Sequence, residues 1–553
     1  MLQKHKLTLT LPIFVIIGFV LLSPNNSEVK PTAQNEQTNQ LQALTTETQK
    51  SDSNNQIQDT QSTPNARQSS QTKNQHYTSP TLKSSPNYQQ VPYYLLATVN
   101  DPLFGTSWHH SKIQTDRGWD LSTGSSSATV AVIDTGFELN HEDLSSKWYQ
   151  NNGEIGQTNG DDFCWTGSPI EKSTNNCDDD QNGYVDDWRG FDFFYADNNP
   201  QAGQVNPTGE GTTHGSLVSG TIGAVANNNK GSAGIDQNVK ILPLQVFSDD
   251  GEAFTDDLVS AIDYATDMNV NVINLSLGSD QYDATLLSAI NRARTNGTLV
   301  VAASGNCALN DKPICNNLSA PGRMTYPALY DNVIAVGATN STDQRASFSS
   351  YGSQLDVVAP GNSIGPLPIY NNGAVNSYAI ASGTSFASPL VAGLASVLIA
   401  QNPNASLSQL EEILIKSTDK ISAMNGQTFT NEFGNGRINA HKATLLGLAK
   451  TQENLLGNNL TSPRQPAVGK IWRSVTGNVG HNEVILVGCR IFDADICSVT
   501  AENNGIYRFN PGTLQKNDVI QYIFINGSSL PNGSSSISVH NHEYATQVST
   551  LIK

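Results

Sequence analysis

Residues 128 to 400 alternate between two textures, and that alternation limits the fold more than any other feature of the chain. Short apolar, β-branched runs occupy 128–133, 239–246, 270–275, 298–303 and 332–336, each of a length and uniformity that fits a strand buried on both faces. Between them lie stretches with helical spacing at 217–226, 255–268 and 283–296. Thr255 reads as an N-cap and Gly297 as a helix stop. Strand and helix in repetition imply a parallel sheet covered by helices on both faces, an α/β architecture in three layers. Ligands of such sheets bind beyond the carboxyl ends of the strands.

Reactive side chains occur at those ends. The first run delivers Asp134-Thr135-Gly136, a carboxylate at the close of a buried strand. Gly211-Thr212-Thr213-His214-Gly215-Ser216 opens a helix, and Ser382-Gly383-Thr384-Ser385-Phe386-Ala387-Ser388-Pro389 leads into an apolar helix over 390–400. Ser385 therefore sits at a helix N-terminus, where unpaired N–H groups and the macrodipole favour negative charge. Alone, the last segment reads more readily as a turn capping a core helix. Together, an acid, an imidazole and a hydroxyl are the parts of nucleophilic catalysis.

These three segments resemble the signature motifs of the subtilisin-like serine proteases (subtilases, peptidase family S8), in that family's chain order of Asp, His, Ser. The resemblance extends over roughly residues 91–448, from Asn100-Asp101-Pro102-Leu103-Phe104 and Trp119-Asp120 to Phe433-Gly434-Asn435-Gly436-Arg437-Ile438-Asn439-Ala440. It implies a subtilisin-like three-layer fold and a catalytic set of Asp134, His214 and Ser385. Asn306, leaving the run 300–305 through a Gly-Asn turn, becomes the oxyanion donor. The segments Ser276-Leu277-Gly278 and Ala303-Ser304-Gly305 become the walls that bind an extended peptide by strand addition. Three positions depart from the family pattern: Ser216 stands for the usual Thr, Leu217 for a second His, and Phe386 for the Met that usually follows the nucleophile. None of them removes a triad atom.

A formal net charge of −18 disfavours a nucleic-acid partner and suits calcium. Cys177-Asp178-Asp179-Asp180-Gln181-Asn182-Gly183-Tyr184-Val185-Asp186-Asp187 spaces oxygen ligands as a calcium loop does, and the candidate ligands are Asp178, Asp180, Asn182 and Asp186. Arg189 stands where a full EF-hand needs an acid, and a solvated acidic turn is the plain alternative. The family resemblance adds Asp143 as a further calcium ligand. Six cysteines fall in close sequence pairs, 164 with 177, 307 with 315 and 489 with 497, as local disulfides in an oxidising compartment would.

The ends of the chain differ in texture from its centre. Residues 1–24 carry Lys4, His5 and Lys6 before an apolar stretch, which has the form of an export signal, with an uncleaved N-terminal membrane anchor as the alternative. No later segment reads as a membrane span. Residues 25–90 are rich in Gln, Asn, Ser and Thr and read as a disordered linker. The peptidase-like domain is placed at 91–450, a linker at 451–466, and a small all-β, sandwich-like accessory domain at 467–553, where short strand patterns alternate with Gly, Asn and Pro turns. The resemblance implies a serine endopeptidase that cleaves protein or peptide substrates; the chain is expected to be monomeric and, from its export signal, secreted or held in the cell envelope, with periplasmic anchoring as the alternative. The competing expectation is an inactive subtilase scaffold that binds surfaces, which would have no chemical need for all four catalytic groups.

Overall fold

A computed structural model of the chain describes residues 99–447, apart from 210, 320, 373 and 375, together with Leu9–Thr10 and seven strands between residues 472 and 551. The signal-like segment, the 25–90 linker and the side chains of Cys489 and Cys497 lie outside the described residues, save that Leu9–Thr10 forms an antiparallel ladder with Glu252–Ala253.

The central sheet has seven strands: β1 Thr129–Asp134, β2 Phe191–Asp192, β3 Lys240–Gln245, β4 Val272–Leu275, β5 Leu299–Ala303, β6 Ile334–Thr339 and β7 Val357–Pro360. Their order is β2-β3-β1-β4-β5-β6-β7, and each ladder is parallel. Short helices at Trp108–Lys112 and Thr115–Trp119 precede β1, and the longer helices are α1 His214–Gly223, α2 Thr255–Asp267, α3 Ala284–Thr295, α4 Thr384–Gln401 and α5 Leu407–Lys416.

The two-residue period of a strand divides the apolar runs between two cores. Val130 and Val132 of β1, with Leu299 and Val301 of β5, pack with α1, α4 and α5. Ala131 and Ile133, with Val300 and Ala302, pack with α2 and α3. Both faces of the sheet are therefore covered, which is why its strands read as continuous apolar runs. The sheet is the α/β architecture of the subtilisin fold.

α4 runs through the first core and is buried from Thr384 to Leu398. By length and composition it would pass for a membrane span, contrary to the expectation that no segment after the N-terminus does. Its burial against the sheet identifies it as a core helix. Small residues allow the close approach: a Cβ on Gly393 would stand 2.1 Å from Ile235 Cγ2.

Two helix starts differ from the sequence reading. α1 begins at His214 and ends at Gly223, short of residue 226, because Val225 N–H already donates to the Asp143 carbonyl. The N-cap of α2 is Phe254 rather than Thr255, whose side chain is buried and makes no cap bond. Asp256 and Asp257 in its first turn supply the negative charge that a helix start favours. Antiparallel sheets of four and three strands lie between residues 472 and 551.

Asp283 caps α3, its Oδ1 accepting from Thr285 N–H at 2.7 Å and Leu286 N–H at 2.9 Å. Asp283→Ala is expected to cost about 1 kcal/mol, read from denaturant unfolding beside the wild type. An unchanged midpoint would show that the cap contributes nothing.

Candidate active site

Three strand ends and two helix starts meet at the carboxyl edge of the sheet. Asp134 closes β1, buried to 1 % exposure, and its Oδ1 accepts from Thr135 N–H at 2.7 Å and from His214 Nδ1 at 2.7 Å. His214 opens α1. That helix docks on the strand end through Gly215, whose N–H donates to Thr135 Oγ1 at 2.9 Å and whose position admits no Cβ, since one would sit 2.7 Å from the Thr135 carbonyl oxygen. Donation from Nδ1 to the carboxylate leaves Nε2 as the imidazole's acceptor.

Ser385 is the second residue of α4, behind the N-cap Gly383, and is 3 % exposed. Its Oγ donates to the Ser276 carbonyl at 3.2 Å, and among the described residues no hydrogen bond joins it to His214. A transfer of its proton to His214 would require the hydroxyl first to turn from Ser276. Phe386 follows, fully buried, with its ring centroid 5.5 Å from that of His214.

Pro389 explains the role of Ser276. It has no N–H for the carbonyl four residues back, which is that of Ser385. Ser276 Oγ supplies the missing donor at 2.8 Å and also meets Ser388 Oγ at 3.0 Å. The Ser276 side chain is thus committed to α4, and Leu277 is buried in the second core, so a bound peptide would meet this segment through its backbone.

Asn306 leaves β5 through Gly305, whose φ of +107° suits glycine. Its Oδ1 accepts from Thr384 N–H at 3.0 Å and Thr384 Oγ1–H at 2.9 Å. With the oxygen fixed there, the amide NH₂ faces the start of α4. The adjoining loop is closed by a Cys307–Cys315 disulfide. Thr325 was not foreseen: its N–H donates to the Ser304 carbonyl at 3.0 Å, and a Cβ on either Gly278 or Gly305 would fall within 3.0 Å of its side chain. It stands between the two expected substrate walls, in a stretch with no motif to announce it.

The acidic insertion is braced by a Cys164–Cys177 disulfide and brings two of the sequence-read residues, Asp178 and Asp180, together with Glu154. Carboxylate oxygens of Asp178, Asp180 and Glu154 lie within 4.8 Å of one another. Glu154 is fully buried; its Oε1 accepts from Asp179 N–H at 2.6 Å and Asp180 N–H at 3.0 Å, while Oε2 has no partner. Burial, helped by Asp187 and Asp180, pushes its carboxyl up to about 7. Three oxygens around an unsatisfied buried carboxylate fit a hard cation. Asn182 and Asp186 are not in the trio: Asn182 Oδ1 takes the Tyr184 N–H, and the Asp186 oxygens take those of Asn175 and Asn176. Nor is Asp143, whose oxygens accept from Asn228 and the Tyr378 hydroxyl. Glu154 escaped the sequence reading because it precedes the loop by more than twenty residues and belongs to no spacing pattern.

The model of Peptidase_S8, the subtilase family, matches residues 125–436. The chain is 34% identical over 347 residues to the thermophilic serine proteinase of Bacillus sp. (strain AK1), covering 63% of this chain and 69% of that protein. It is 33% identical to thermitase of Thermoactinomyces vulgaris over 347 residues, which are 63% of this chain and 99% of thermitase. Subtilisin Savinase of Lederbergia lenta is 37% identical over 237 residues, 43% of this chain and 79% of that one.

If the Glu154 trio binds a divalent cation, mass action stabilises the native state. A chelator is expected to lower the melting temperature of the wild type and to leave an Asp178→Ala, Asp180→Ala protein unmoved, with Glu154→Gln in between. A double variant as sensitive to chelator as the wild type would place the ion elsewhere.

Proposed function

The chain belongs to the subtilase family and is a serine-type endopeptidase acting on protein or peptide substrates, and from that premise we propose that Asp134, His214 and Ser385 are its triad and Asn306 its oxyanion donor. The observation that carries this reading is the buried 2.7 Å bond between Asp134 and His214 beside a serine at a helix N-terminus. A substrate strand lies along the backbone of residues 276–278 and 303–305. Ser385 Oγ attacks the scissile carbonyl carbon as His214 Nε2 takes its proton. Asp134 holds the imidazole by Nδ1 and stabilises the imidazolium. The carbonyl oxygen becomes an oxyanion, received by the Asn306 amide and the Ser385 N–H. Collapse breaks the C–N bond while His214 returns the proton to the leaving amine, and water then hydrolyses the acyl-enzyme by the same steps in reverse roles.

Calcium is the cation we assign to Glu154, Asp178 and Asp180, since all the donors are oxygens. Bound there, it would neutralise three converging carboxylates and join the turn at Glu154 to the insertion. The N-terminal segment fits export from the cytoplasm, and the 467–553 region fits an accessory role in substrate or surface binding.

An active-serine phosphonate is expected to label the wild type and not Ser385→Ala; label that persists in the variant would remove the nucleophile. Asn306→Ala should keep its fold and KM while kcat falls roughly 10² to 10³-fold, a size carried over from subtilisin's own oxyanion donor. A rise in KM alone would count against the assignment. Because Phe386 has no sulfur to oxidise, activity should survive peroxide that inactivates Phe386→Met. Equal inactivation of both would point to another group, such as Met324 before Thr325.

A further inference from the structure

Resting on His214 as the general base, we propose that Phe386 is a positioning residue for it, a ring that orients the imidazole and stabilises the imidazolium formed in the transition state. Asp134 holds Nδ1 at 2.7 Å from the β1 side. From the α4 side the Phe386 ring approaches with its centroid 5.5 Å from that of His214 and its plane tilted by 54°. Both side chains are buried, Phe386 at 0 % and His214 at 1 % exposure, so water screens the contact little.

The face of an aromatic ring is electron-rich, and a cation within about 6 Å of its centroid is stabilised, more so when desolvated. The imidazole gains a positive charge when it takes the Ser385 proton. An interaction that strengthens with that charge lowers the barrier rather than merely tightening binding. Among the described residues, the ionisable groups on the surrounding elements include Asp134 on β1, Glu138 just beyond it, whose backbone N–H donates to Ser216 Oγ at 2.7 Å in the first turn of α1, Asp249 in the turn after β3, and Tyr370, which feels the charges of Glu138 and Asp249. The first turn of α4 carries no ionisable side chain apart from the serine hydroxyls, so the electrostatic contribution of that side to the imidazolium falls to the ring and the helix N-terminus. A thioether at this position would offer neither the flat surface nor the electron-rich face.

The acid limb of kcat/KM reports the base in the free enzyme. If the ring favours the imidazolium, Phe386→Leu is expected to move the limb to lower pH by roughly 0.4 to 1.5 units. Placing 3,4,5-trifluorophenylalanine at position 386 nearly preserves the shape and withdraws charge from the face; it should move the limb in the same direction. The His214 titration followed by NMR in Ser385→Ala protein should repeat the shift when Phe386 is replaced. A limb that stays in place in the fluorinated enzyme and in Phe386→Leu overturns the proposal, since a purely structural ring would alter stability and rate without moving it. A wild type that takes no serine-directed label and shows no acid limb would remove the base itself, and the proposal with it.

Discussion

α4 has almost no face on water, so each of its polar groups must find a partner inside the protein, and those partners build the site. A buried donor or acceptor left unmatched costs on the order of 1–3 kcal/mol. The Ser385 carbonyl, deprived of a donor by Pro389, is met by Ser276 beyond β4. Thr384 N–H and Oγ1–H are met by Asn306 beyond β5. Further along the helix, Ser396 Oγ donates to Asp236 at 2.6 Å, a carboxyl that burial pushes up to about 6. The bonds of Ser276 and Asn306 fix the loops after neighbouring strands to the start of the helix that carries the proposed nucleophile. Satisfying the core and positioning the chemistry are therefore one constraint.

What was legible in the sequence follows from range. Asp134, His214 and Ser385 each sit in a local segment whose backbone demands, a strand end or a glycine-led helix start, are written in adjacent residues. The strands were legible because burial on both faces leaves long apolar runs. Glu154 and Thr325 were not, since each acquires its position from contacts across the fold: Glu154 by accepting the N–H groups of Asp179 and Asp180, Thr325 by bonding to Ser304 between two glycines. The Thr255 cap failed for a related reason. Its neighbours mark a helix start, but burial of its side chain is a tertiary fact.

In the acidic insertion, local preferences and global charge oppose each other. Asn176, Gln181 and Asp186 adopt left-handed backbone angles, and the turns are held mainly by carboxylates accepting N–H groups. Each such bond favours the ionised acid, yet the acids converge, and burial raises Asp187 and Glu154 above the usual carboxylate range. The Cys164–Cys177 bridge limits the unfolded chain over a separation of 13 residues, a stabilisation of roughly 3 kcal/mol, but it adds no positive charge. A cation among Glu154, Asp178 and Asp180 would supply it, which is why the fit of that trio rests on the unmatched Glu154 oxygen rather than on acid count.

The proposed active site takes the opposite course, with a single triad carboxylate among neutral donors. Asp134 has two donors on one oxygen, Thr135 N–H and His214 Nδ1–H, while its other oxygen is buried without a hydrogen-bond partner. The oxyanion is offered an amide and a backbone N–H, neither of which carries charge into the ground state. A lysine in the place of Asn306 would attract a negative group at all stages of the reaction and would depress the basicity of His214, so it would gain binding and lose discrimination. Neutral, fixed dipoles act only as charge develops. Because they need no compensating ions, the site can also lie in a strongly acidic protein without depending on the distant surface charge, whose field is screened within about 10 Å at moderate salt.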